Sequence, residues 1–292
     1  MARNKRDPST AGWIMLAPFL LLFIVFSLIP VVLGFQESFR GTFKVPEGGI
    51  GNYIGAFQDY RFTNALKNTG LYILIAVPLM TVVVLVLALL LDGYRSKYHQ
   101  YIRLAYLLPG TYVGAAGILA WYIITEPLIG PFRDVLNFFG VESQSEIFKP
   151  SNLALIFALM VVVSGAGGWI VVQYGGLQEI SDDVLEAAVI DGCNNRQLAT
   201  KIKLPLINKN VVYMVILVIA GCVQLFAEPF LLKTFTGGGV DWSINQVSYT
   251  LAFSEGDFSQ ASAISIFLLL VSLTAALVLI FKTKFFDTGL GR

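Results

Sequence analysis

The stretch Leu66–Leu91 reads LKNTGLYILIAVPLMTVVVLVLALLL and carries no charged side chain after Lys67. A helix that crosses the hydrocarbon core of a bilayer needs about 20 apolar residues, so this run predicts a transmembrane helix. Pro78 would break a soluble helix, but membrane helices tolerate proline because neighbouring groups satisfy the freed carbonyls. Working outward, further apolar runs occur at Gly12–Gly34, Ile102–Thr125, Asn152–Tyr174, Val211–Leu232 and Ala261–Phe281. The third of the six is interrupted by Pro109 and several glycines. The expected fold is all-α and integral to the membrane, with six transmembrane helices.

Composition agrees. Of 292 residues, 56% are apolar and 13% charged, and the mean hydropathy is +0.71. Soluble domains carry about 25% charged residues. A net charge of +1 without a basic block gives no footing for nucleic acid. Cys193 and Cys222 are too few for a disulfide framework or zinc site, and the single His99 excludes a multi-histidine metal centre. The start, MARNKRD followed by an apolar run from Ala11 to Gly34, has the charge pattern of a signal peptide. The run exceeds the apolar core of such peptides, and no small-x-small cleavage site follows it. A retained first helix is expected.

Six spans place both termini on one side. With the N-terminus inside, thirteen Lys and Arg, from Arg3, Lys5 and Arg6 to Lys284 and Arg292, fall on inner segments; seven fall on outer ones. Inner loops are normally the basic-rich ones, so both termini are expected to be cytoplasmic. The organisation expected is a tail 1–11, a membrane domain 12–281 with a cytoplasmic loop 175–209, and a tail 282–292.

Within that loop lies EAAVIDGCNNRQLATKIKLPL, Glu186–Leu206. Ser181 is a candidate N-cap, and Asp182 and Asp183 load the first turn with the charge that the helix dipole favours. Val184, Leu185, Ala188 and Val189 fall at helical spacing as one apolar face, with Glu186 and Ala187 off it. Gly192 falls where a left-handed helix terminus belongs. Asn194 or Asn195 caps a second short helix, and Pro205 suits the first turn of the next span. This pattern fits a docking surface and a membrane-surface amphipathic helix equally.

A resemblance separates the two. Glu186-Ala187-Ala188, then Gly192, then Ile202-x-Leu204-Pro205, resembles the EAA signature of the membrane subunits of bacterial ABC importers. The segments LAPFLLLFIVFSLIPVVLGFQESF, GGIGNYIGAFQDYRFTNALKNT and VQLFAEPFLL resemble their sugar-type permeases, related to the maltose and glycerol-phosphate importers, over about Leu16 to Phe281. Ala227 departs from an acid common in that group, and Val240 from a proline.

The resemblance implies a type I ABC importer permease fold in the bacterial inner membrane. It implies a second permease subunit, two ATPase subunits, and an extracytoplasmic binding protein that delivers a small-molecule solute, with sugar the expected class. It assigns Glu186, Ala187, Ala188, Gly192, Ile202, Leu204 and Pro205 to coupling with the ATPase. No G-x-x-x-x-G-K-[ST] loop occurs in the chain, so ATP and Mg are expected on the partner and no cofactor on this chain. The glycines of GAGGW (Gly165–Trp169) and GGG (Gly237–Gly239) are read as packing or turn glycines.

Ionisable groups within a bilayer are functional candidates. Glu228 is the clearest, and Gln224, four residues earlier, is expected on the same helical face. Ser164, with Trp169, Phe226 and Phe230 as stacking surfaces, completes the expected solute pathway. Two alternatives stand beside a sugar importer. One is an ABC permease for glycerol phosphate, an amino acid or a peptide. The other is an ion-driven secondary transporter, for which repeated broken helices and several membrane acids are expected. An intramembrane enzyme finds no H-E-x-x-H or G-x-S-x-G motif.

Overall fold

The computed structural model describes residues 8–42, 45–93, 98–112, 114–236 and 239–282, and among these there is no strand. Arg3, Lys5, Arg6, Lys44, Arg95, Lys97, Lys284 and Arg292, counted above for orientation, lie outside the described residues, as do Gly237 and Gly238.

Among the described residues, five helices are long and apolar enough to cross a membrane. Helix α1 covers Gly12–Glu37 through a π turn at Ile24–Leu28. The short α2, Ile50–Gln58, precedes α3, Tyr60–Gly93. At 34 residues and 1.5 Å per residue, α3 is about 50 Å long, well beyond the roughly 30 Å hydrocarbon thickness. The expected third span is two pieces. Helix α4, His99–Leu107, leads through a 3-10 turn at Leu108–Thr111 into α5, Ala115–Ile124, with a bend of 96°. Pro109 lacks the N–H that an uninterrupted helix needs, and each piece alone is about 15 Å long. The remaining spans are α6, Pro150–Gln178, the segment Asn208–Phe235, and α10, Phe258–Lys282.

The chain packs as two compact units. The first holds residues up to Phe62 and Ser248–Leu269. There the buried Asn52 amide donates to the carbonyls of Ser38 and Arg40 at 2.9 and 2.7 Å. Asp59 closes α2 and accepts from the Arg61 backbone at 2.8 Å. The Arg61 guanidinium then bridges Asp59 and Glu255, each at 2.6 Å. Phe57, Phe62 and Phe267 meet edge to face 5.1–5.8 Å apart. The Asn, Asp and Phe of the GNYIGAFQDYRF segment thus have structural work in this unit.

The second unit holds Thr63–Val247 and the chain from Leu270. Tyr72, Ala76, Met80, Val84, Ala88 and Leu91 form one buried stripe along α3, and Phe157, Ala158 and Ile170 of α6 join the same core. Lipid tails supply no hydrophobic drive between membrane helices, so close van der Waals packing carries the contact and small residues permit it. Gly167 is the clearest case: a Cβ there would strike the backbone carbonyl of Tyr106.

Candidate functional site

The polar segment after α6 begins later than its sequence suggests, because residues 175–178 continue the helix to Gln178. Ser181 is the N-cap of α7, Asp182–Ile190, with extended dihedrals but no side-chain capping bond. Asp182 and Asp183 occupy its first turn. At the other end, Gly192 N–H donates to Val189 and Cys193 N–H to Ala188, both at 3.0 Å. This pair of bonds is a Schellman closure, which needs a left-handed residue; Gly192 has φ +85°. Asn194 and Gln197 form a reciprocal capping box at 2.9 Å. A π turn, Leu198–Lys203, and one helical turn, Leu204–Leu206, follow, so Pro205 starts its own short turn rather than the next span. Ile202 lies within the π turn. The span itself begins as α8, Asn208–Val223.

The expected apolar stripe of α7 is split. Ala188 is buried and Leu185 half-buried, whereas Val189 is 59% and Ile190 85% exposed. Val189 lies about 100° around the helix from Ala188, which turns it away from the body. Glu186 and Ala187 are exposed. Among the described residues the Glu186 side chain has no hydrogen-bond or ion-pair partner. The coupling residues named from sequence therefore form one continuous structured element, with Glu186, Val189 and Ile190 outward.

A residue that sequence reading missed holds this element in place. Asp92, in the last turn of α3, accepts from the Gln178 amide of α6 at 2.7 Å. It also pairs with Lys203 of the π turn. The Asp92 side chain is 8% exposed and that of Lys203 15%. A carboxylate at a helix C-terminus opposes the helix dipole, so the lysine offsets an otherwise unfavourable placement. A cavity of about 420 Å³ surrounds the pair, lined also by Tyr174, Glu179, Ser181 and Asp182. The one signal in sequence was an acid ending a long apolar run.

The six expected pathway residues are not gathered together. Helix α8 ends at Val223, and α9 restarts at Ala227–Phe235. Gln224 and Glu228 are thus separated by a helix break, against the shared face expected from their spacing. Pro229 accounts for the break, since its ring clashes with the carbonyl four residues earlier, that of Leu225. Gln224 is exposed, and Glu228 is half-buried in the first turn of α9. Phe226 and Phe230 do meet, stacked at 5.1 Å. Ser164 donates to its own helix at Met160 O, 2.7 Å away, and Trp169 packs edge-on to Tyr213. At the opposite end of α3 from Asp92 lies a cavity of about 460 Å³, lined by Asn64, Lys67 and Asn68 with Lys233, Asp241 and Trp242. Lys233 bonds Asp241 there at 2.9 Å. None of the six residues lines either cavity.

The family model described as "Binding-protein-dependent transport system inner membrane component" matches residues 48–287. The arabinooligosaccharides transport system permease protein AraP of Halalkalibacterium halodurans is 26% identical, covering 95% of this chain and 89% of that protein. The trehalose/maltose transport system permease protein MalF of Thermococcus litoralis is 27% identical, covering 99% and 96%. A chain in the crystal structure of a bacterial alginate ABC transporter, in complex with an alginate pentasaccharide-bound periplasmic protein, superposes with TM-score 0.81 at 19% identity. That match covers 98% of this chain and 99% of the other, and it shows the permease fold.

Proposed function

The chain belongs to the family of binding-protein-dependent transport system inner membrane components, and from this membership we propose that its α7 segment is the lever a separate ATPase grips. As a member, the chain is a multi-pass membrane permease subunit of an importer and not an enzyme. The proposed assembly adds a second permease subunit, two ATPase subunits that bind ATP and Mg, and an extracytoplasmic solute-binding protein. Both termini face the cytoplasm in this reading. Closure of the ATPases draws the coupling segments together and turns the pathway from inward- to outward-facing.

The observation that carries the proposal is the preformed α7, closed at its C-terminal end by the Gly192 turn, with the Glu186 side chain unpartnered among the described residues and Ile190 85% exposed. A partner that covers this face gives the carboxylate a hydrogen-bonding group and removes apolar surface from water. In addition, α1 has no buried residue over Gly12–Glu37, which suits a helix facing lipid and the second permease.

We assign the solute to the sugars. The names of the relatives support this class, as does the scarcity of basic residues within the apolar runs. Glu228 and Gln224 supply hydrogen-bonding groups on either side of the helix break, with the Phe226–Phe230 stack beside them. Ser164 and Trp169 are secondary contributors on α6. The test is uptake by proteoliposomes holding the full complex. Uptake should require ATP and the binding protein and should stop with vanadate; uptake driven by a sodium or proton gradient without ATP would overturn the reading.

A further inference from the structure

We propose that Asp92 is a positioning residue for energy coupling, the point through which movement of the α7 segment reaches α3. This rests on the reading that an ATPase docks on α7. The segment is continuous in chain with α6 at one end and with α8 at the other. It has no chain connection to α3, which lies 111 residues away from Lys203 at Asp92. The Asp92 carboxylate supplies that link, taking Lys203 of the segment and Gln178 of α6 together.

Three features separate this contact from ordinary packing. Asp92 sits near the C-terminal ends of both α3 and α6, where helix dipoles disfavour a carboxylate. Its placement therefore depends on Lys203 staying beside it, and displacement of the segment leaves a nearly buried charge without its partner. The cavity of about 420 Å³ around the pair gives Lys203 room to move. The remaining charged groups facing that cavity, Glu179 and Asp182, are acids, so they strengthen the dependence on the lysine rather than replace it. The arrangement makes the position of α3 conditional on the position of the lever.

The experiment uses the reconstituted full complex and reads three quantities: crosslinking of Cys193 to the ATPase, basal ATP hydrolysis, and solute imported per ATP hydrolysed. Asp92→Asn and Lys203→Gln should leave crosslinking and basal hydrolysis near the unmodified level. Import per ATP should fall about tenfold. The exchanged pair, Asp92→Lys with Lys203→Asp, should recover to within about threefold of the unmodified complex. Unchanged import per ATP in either single variant would overturn the proposal, as would an exchanged pair no better than the single variants. Failure of both single variants to assemble would make the pair merely structural and overturn it too. Absence of the crosslink in the unmodified complex is a separate outcome: it removes the docking reading, and this inference with it.

Discussion

The side-chain amide of Gln173 donates to the backbone carbonyl of Asn210 at 3.1 Å and ties α6 to the first turn of α8. Gln173 is fully buried, and among the described residues its Oε1 has no hydrogen-bond partner. Inter-helix bonds of this kind contribute about 0.6–1.7 kcal/mol in membranes. Gln173→Ala should lower the unfolding free energy in detergent by about 1–2 kcal/mol. Gln173→Met, which also removes the orphaned oxygen, should cost less. Unfolding midpoints of the two variants check the order.

Neighbouring glycines of α6 should behave in opposite ways. A Cβ on Gly167 meets the Tyr106 carbonyl, whereas one on Gly168 meets open space. Gly167→Ala should destabilise by about 1–3 kcal/mol through forced backbone shifts. Gly168→Ala should be neutral or gain up to about 1 kcal/mol through helix propensity. Equal midpoints for both variants would contradict the close α4–α6 approach.

The turn after α7 yields a third expectation. Nothing lies within 4 Å of a Cβ added at Gly192, so its positive φ alone sets the penalty. Gly192→Ala should destabilise the Schellman closure by about 1–2 kcal/mol, with Gly192→Asn milder because Asn visits that region more readily. Hydrogen exchange at the amide of Cys193, which bonds Ala188, should accelerate in the order Gly, Asn, Ala.

Much of this was legible beforehand, where the physics is local. Apolar runs mark α3 and α6 because every side chain in a membrane helix meets lipid or another helix. The observed helices outlast those runs, since Arg61 and Asn64 at the start of α3 and Gln178 at the end of α6 are polar yet helical. The Gly192 terminus of α7 and the Asn194 cap that follows it come from nearest-neighbour chemistry, whereas Ser181 sits at the N-cap position without a side-chain bond. The 96° bend after α4 was visible only as Pro109 and glycines, which mark an interruption but not its angle. Treating Gln224 and Glu228 as one face ignored the carbonyl that Pro229 displaces. Asp92 was missed because its partner lies far along the chain, and no spacing rule joins them.

Glu186 offers a sharper contrast between stability and function. Its side chain is exposed and, among the described residues, unpartnered, so Glu186→Ala should change the stability of the isolated permease by less than about 0.5 kcal/mol. Assembly with the ATPase should weaken by about 1.5–3 kcal/mol, the range for a hydrogen bond to a charged group. That is roughly 10- to 150-fold in dissociation constant. Titration of the purified ATPase onto the permease in detergent measures it directly.

The central claim is that the segment around α7 is held by the ATPase and moves with its nucleotide state. Cys193 is half-buried at the end of that helix, while Cys222 is buried in α8, so a thiol-specific photocrosslinker reports on Cys193. In the assembled complex the label should capture the ATPase, with a yield that differs between nucleotide-free and ATP-bound states. No capture in any nucleotide state, while ATP still drives import, would contradict the account.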